Sequence, residues 1–217
     1  MTILRHITDR PVQLRAAPEG NRSPGTLVGY AAVFGSPSRD LGGWREVLEP
    51  GAFGENGEDG TLDLAAHHRV LCRAEHDSRL LLGTTDSATL RLAVDETGLR
   101  YEVDLPDTGA GRDAAALAER GDYRFSSFAF HDLPDGWDWS EGADGTLERH
   151  VRAVTLVDVA PVADPAYWAA TVAKRDLIEA RASIHGADAP PQTPAEPDLG
   201  RRDIAARLRL LGLREGV

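Results

Sequence analysis

Three residues have the types and settings that nucleophilic acyl transfer requires. His76 lies in EHDSRLLLG, at the end of an apolar stretch. Taken alone, a histidine at a strand end is more often a capping or loop residue bonded to backbone, but neutral imidazole is also the side chain best matched to taking a proton near pH 7. Ser126 and Ser127 stand together in YRFSSFAF. Side chains alternate across a strand, so Ser126 shares a face with Phe128 and Phe130, which belong in a core, whereas Ser127 shares one with Phe125 and Ala129. A serine nucleophile needs an open approach for the substrate carbonyl and a base in reach, and the small neighbour Ala129 favours Ser127. Asp158 interrupts the apolar run VTLVDVAPV. By the same alternation it shares a face with Val154, Leu156 and Ala160. A carboxylate in so apolar a strand requires a partner. Arg152 would make it a structural ion pair; a histidine ring nitrogen would give it control of the tautomer and of the imidazolium charge.

Other chemistries have weaker support. His67, His68 and His76 could carry a metal-dependent hydrolase, but their spacing fits no common structural zinc pattern and the segment reads as loop. Cys72, the single cysteine, is predicted to point into a sheet as a small buried hydrophobe, and a lone cysteine excludes a disulfide framework. There is no GxSxG elbow, P-loop or GxGxxG, and no cofactor is expected.

The elements that must position these residues are mostly strands. LVGYAAVF (27–34), RVLCRAEH (69–76), TLRLAV (89–94), LRYEVDL (99–105), YRFSSFAF (123–130) and VRAVTLVDV (151–159) have strand composition, and DETG at 95–98 suits a hairpin turn. GAGRDAAALAER (109–120) predicts a helix capped by Asp107 or Thr108 and ended by Gly121. A second helix is predicted over 165–181. Residues 186–200 hold four prolines and read as a linker. Beyond it, Ile204, Leu208 and Leu211 lie on one face of a short amphipathic helix. The expected organisation is an extension at 1–26, a catalytic body at 27–182, a proline-rich linker at 183–200 and a basic tail at 201–217.

The 217 residues carry a net charge of −11, which argues against nucleic-acid and anionic-membrane binding. The charge is uneven: residues 1–199 hold 19 basic and 33 acidic side chains, whereas 200–217 hold five arginines against two acids. No apolar run approaches the ~20 residues that span a bilayer. The start, MTILRHITDR, lacks an apolar signal core, so a soluble protein of a reducing cytoplasm is expected.

The succession GYAAVFGSPSRDLGGWREVLEPGAF, AEHDSRLLLGTT, DETGLRYEVDLPDTGAGRDAAALAERGDYRFSSFAF and RAVTLVDVAPVADPAYWAATVAKR resembles the prohead (capsid maturation) serine proteases of tailed bacteriophages across about residues 27–175. The resemblance implies an α+β fold, mainly β with packed helices, built on a closed β-barrel core like that of herpesvirus assemblins. The family's histidine lies in a Glu/Leu-His-Asp segment, matched by His76. Its serine lies in Ser-Phe-Gly-Phe, matched by Ser127 in Ser127-Phe128-Ala129-Phe130. Its third member tends to be the glutamate of Glu-Val-Ser-Pro-Val, and Asp158 occupies that place one methylene shorter. The resemblance further implies cleavage of a scaffolding protein, or of the scaffold segment of the major capsid protein, together with self-cleavage. It places the protein in the host cytoplasm within the procapsid, with dimerisation as in assemblins. The alternative it leaves is a catalytically silent prohead assembly protein.

Overall fold

The computed structural model describes residues 4–8, 11–18, 20, 22–38 and 40–163. The predicted helix at 165–181, the linker and the basic tail lie outside them. In chain order the strands are β1 Leu4–Thr8, β2 Gln13–Arg15, β3 Thr26–Val33, β4 Trp44–Leu48, β5 Leu71–Arg73, β6 Leu81–Thr84, β7 Leu90–Val94 and β8 Gly98–Asp104. Helix α1 (Gly109–Arg120) follows, then β9 Phe125–Asp132, β10 Trp137–Glu141, β11 Leu147–Val151 and β12 Val154–Val162.

Local chemistry accounts for the best-formed pieces. In β8, Leu99, Tyr101 and Val103 are buried while Arg100, Glu102 and Asp104 face outward, the alternation of a half-covered strand. Arg91 on β7 grips Asp104 at 2.7 Å across that outer face. The turn joining β7 to β8 is held by Asp95, whose Oδ1 accepts the Thr97 and Gly98 N–H groups at 2.7 and 3.1 Å. Thr108 caps α1 by accepting the Gly111 N–H at 3.2 Å, and Gly121 ends it in the left-handed region at φ 81°.

The strands form three sheets, ordered β1-β9-β12-β5-β6, β2-β3-β8-β7 and β10-β11-β4. The expected closed barrel is therefore corrected: the sheets do not close on one another, and the described residues are mostly strand with one α-helix. The reason lies in how the first two sheets meet. β3 takes its hydrogen-bond partners from β2 and β8, and it reaches β9 through packed faces instead. At that contact a Cβ on Gly29 would lie 2.7–2.8 Å from Tyr101 and Ser126, so only glycine lets the two faces approach this closely. The shared core behind them includes Leu27, Leu99, Val103, Phe128, Phe130 and Val159. Residues 4–8 and 13–15 also belong to these sheets, with β1 running antiparallel along β9 and placing Ile7 opposite Ser127.

Candidate active site

β9 carries both serines, and their neighbours decide which is available. Ser126 is fully buried, with its hydroxyl 3.1 Å from the Tyr101 hydroxyl. Ser127 points to the opposite face, where its Oγ lies 2.8 Å from His76 Nε2.

Asp158 reaches that same face through an irregularity in β12. Leu156 pairs with Phe130 and Asp158 with Ala129, so one extra residue, Val157, is accommodated between them. This bulge reverses the expected parity. Leu156 stays with Phe130 on the core side, while Asp158 and Ala160 oppose Ala129 and Ser127 on the site side. Asp158 thus keeps Ala160 as a face-mate and is separated from Leu156.

His76 is delivered by a turn rather than by the strand expected over 69–76. β5 ends at Arg73, and Ala74–His76 form a tight helical turn in which Glu75 and His76 both have φ of 55°. Two consecutive non-glycine residues in the left-handed region are strained and persist only where surroundings hold them. One such hold is the Glu75 carboxylate, which accepts the Ala163 N–H at 2.8 Å just beyond β12. The turn is thereby tied to the strand that bears Asp158.

The resulting contacts form a continuous chain. His76 Nδ1 lies 2.6 Å from Asp158 Oδ1, and Nε2 faces Ser127 Oγ. A carboxylate can only accept, so Nδ1–H donates to it and Nε2 is left to accept the serine proton. Asp158 is 0% exposed, Ser127 2% and His76 7%, so the chain is shielded from bulk water.

One member of the cluster was missed by sequence reasoning. The Arg73 guanidinium pairs with Asp158 Oδ2, leaving both carboxylate oxygens occupied. The expected cation, Arg152, instead pairs with Asp138 at 2.6 Å. The available signal was an arginine three residues before His76 in a strand that must lie near a buried acid.

Two other histidines are engaged elsewhere. His67 Nε2–H donates to the Phe53 carbonyl at 2.6 Å, and His67 Nδ1 accepts the Leu156 N–H at 3.1 Å. His150 lies between Glu49 and Ser140 at 2.6 and 2.9 Å. Among the described residues, no three His, Cys, Asp or Glu side chains converge as a metal site.

Cys72 is fully buried on the core side, opposite Val159. Burial, and then the charge of Asp158, push its thiol well above the ordinary cysteine range. It is expected to resist Ellman's reagent in the folded protein and to react fully in denaturant, since the thiolate is the reactive form. Rapid titration under native conditions would contradict that placement.

An imidazole held between a carboxylate and a serine hydroxyl is an acyl-transfer arrangement. No curated protein and no solved structure matches the chain. Its residues 11–183 match the family model of the caudovirus prohead serine protease. Because that match takes in most of the 217 residues, the chain belongs to this family and is a serine protease of phage capsid maturation.

Proposed function

We propose that Ser127 is the nucleophile, His76 the general base and acid, and Asp158 the residue that orients His76. Ser127 Oγ attacks the scissile carbonyl carbon while its proton passes to His76 Nε2. The imidazolium then gives that proton to the leaving amine as the C–N bond breaks, leaving an acyl-enzyme. Water repeats the sequence and releases the new carboxylate. Throughout, Asp158 Oδ1 accepts the hydrogen bond from Nδ1–H and offsets the imidazolium charge. The observation that carries this reading is the unbroken contact chain from Asp158 through His76 to Ser127.

The substrates proposed are a scaffolding protein, or the scaffold segment of the major capsid protein, and the enzyme's own chain, all cut within the procapsid in the host cell. Self-cleavage is placed between about residues 181 and 200, where four prolines disfavour the helix or sheet pairing that would withhold the backbone from a protease groove. Intact-mass analysis of wild type beside Ser127→Ala tests this. Loss of a C-terminal fragment from the wild type alone is expected. Unchanged mass in both, together with no cleavage of co-expressed scaffold, would instead leave a silent assembly protein.

Arg73 supplies a further expectation. With its guanidinium gone, one oxygen of the buried Asp158 loses its partner, and the carboxylate is freer to turn away from His76. Arg73→Met should therefore lower both turnover and the melting temperature, and Arg73→Lys should restore part of each. Breaking a buried ion pair typically costs ~3–5 kcal/mol, and about 2 kcal/mol is expected here because His76 still faces Asp158. A lower melting temperature with unchanged turnover of the folded fraction would make Arg73 purely structural.

A further inference from the structure

The outer flank of β12, away from β9, is satisfied in steps. The Val154 N–H donates to the Ala52 carbonyl at 3.0 Å. From Asp158 onward β5 lies alongside, its first residue Leu71 pairing with Asp158. Leu156 falls between these two supports, immediately before the bulge at Val157, where the ladder has no strand to offer. His67 fills that place: its Nδ1 accepts the Leu156 N–H at 3.1 Å, and its Nε2–H donates to the Phe53 carbonyl at 2.6 Å. The ring is 2% exposed. Both partners fix one neutral tautomer, since an N–H can only donate and a carbonyl can only accept. The ring is itself anchored from below. Its backbone N–H donates to the Leu64 carbonyl at 2.9 Å, and the preceding turn is closed by Asp63 Oδ1 accepting the Ala65 N–H at 2.9 Å.

The geometry points to His67 as a positioning residue: it holds the β12 bulge that turns Asp158 away from the core and toward His76. The inference rests on the triad reading above and extends it beyond the contacting groups. Without an acceptor for the Leu156 N–H, β12 can satisfy that group by sliding into regular pairing. Side-chain period is two, so a one-residue slip would send Asp158 to the phenylalanine side. Even a partial slip matters, because a displacement of about 1 Å at a catalytic group can cost roughly 10²-fold in rate.

The test uses the full chain and a fluorophosphonate probe, which reacts with an activated serine whatever the peptide specificity. Three variants separate the two ring bonds. His67→Asn places an oxygen where Nδ1 stood and keeps the acceptor for Leu156. His67→Gln reaches the Phe53 carbonyl but offers nothing at the Nδ1 position. His67→Leu removes both. The maximal labelling rate of the folded fraction should fall roughly 10²-fold for Leu, nearly as far for Gln, and about tenfold less for Asn, with the probe's half-saturating concentration unchanged. The downfield proton resonance of His76 Nδ1–H should persist in Asn and vanish in Leu. Should His67→Leu fail to fold, the Asn and Gln pair still decides. Labelling rates that are equal in Asn and Gln, or that track melting temperature alone, overturn the proposal. Absence of labelling in the wild type, equal to that of Ser127→Ala, overturns the triad reading and this inference with it.

Discussion

Ser127→Ala is expected to abolish both fluorophosphonate labelling and self-cleavage, whereas Ser126→Ala remains an active but less stable enzyme. Removing the nucleophile of such a triad typically lowers turnover by roughly 10⁶-fold, leaving only what binding and oxyanion stabilisation supply. Ser126 has a different task. Its hydroxyl meets that of Tyr101 at 3.1 Å on the core side, and neither side chain reaches water. Truncating it leaves the Tyr101 hydroxyl buried without that partner, at a cost of about 1–3 kcal/mol. For a chain of this size that lowers the melting temperature by roughly 3–10 °C. The pair also predicts non-additivity. Tyr101→Phe with Ser126→Ala removes both polar partners and should recover much of the loss. If Ser126→Ala silences the enzyme while Ser127→Ala is labelled normally, the assignment of the two serines is reversed.

Which serine faces away from the core was legible because β9 is regular from Phe125 to Asp132, and in a regular strand period-two alternation assigns faces without knowledge of the fold. The same rule failed on β12. A bulge at Val157 leaves no mark on local composition, so alternation grouped Asp158 with Leu156 although the structure puts them on opposite faces. His76 is a similar case. Glutamate and histidine rarely adopt positive φ, and nothing in RVLCRAEH announces that Glu75 and His76 both do so; the turn exists because β12 and its Asp158 hold it in place. Arg73 was hidden for the same reason, since its partnership with Asp158 depends on parallel pairing between β5 and β12, some 85 residues apart. The β10–β11 hairpin escaped notice because the middle of the three inward positions on β11, between Leu147 and Val151, is charged. Arg149 is buried between Glu46 and Asp132, at 2.7 and 2.5 Å, and stacks on Trp137, so the pattern there is not apolar-in. Barrel closure depends on lateral hydrogen bonds between strands remote in sequence, and the approach of β3 to β9 through Gly29 gives face-to-face packing in its place.

Asp158→Asn is expected to keep the fold and lower turnover by roughly 10³–10⁴-fold, with little change in KM. The carboxylate uses both oxygens as acceptors, one toward His76 and one toward Arg73. An amide has a single oxygen. A guanidinium offers only N–H donors, so the amide oxygen turns toward Arg73 and the NH2 group faces His76 Nδ1. Nδ1 must then accept, and the ring proton moves to Nε2, where it points at Ser127 Oγ. An imidazole in that tautomer cannot take the serine proton. Asp158→Glu keeps the charge and both acceptors but adds a methylene to a slot with no exposure, so its cost is packing, about 1–3 kcal/mol, and it should turn over faster than Asn. The double variant Arg73→Met/Asp158→Asn separates tautomer from charge. With no guanidinium to claim the amide oxygen, that oxygen is free to face Nδ1, and part of the lost activity should return although two site residues are now changed. Activity no better than that of Asp158→Asn would show that charge, and not the tautomer, is what Asp158 contributes; undiminished turnover in the single variant would reduce Asp158 to a counter-ion for Arg73.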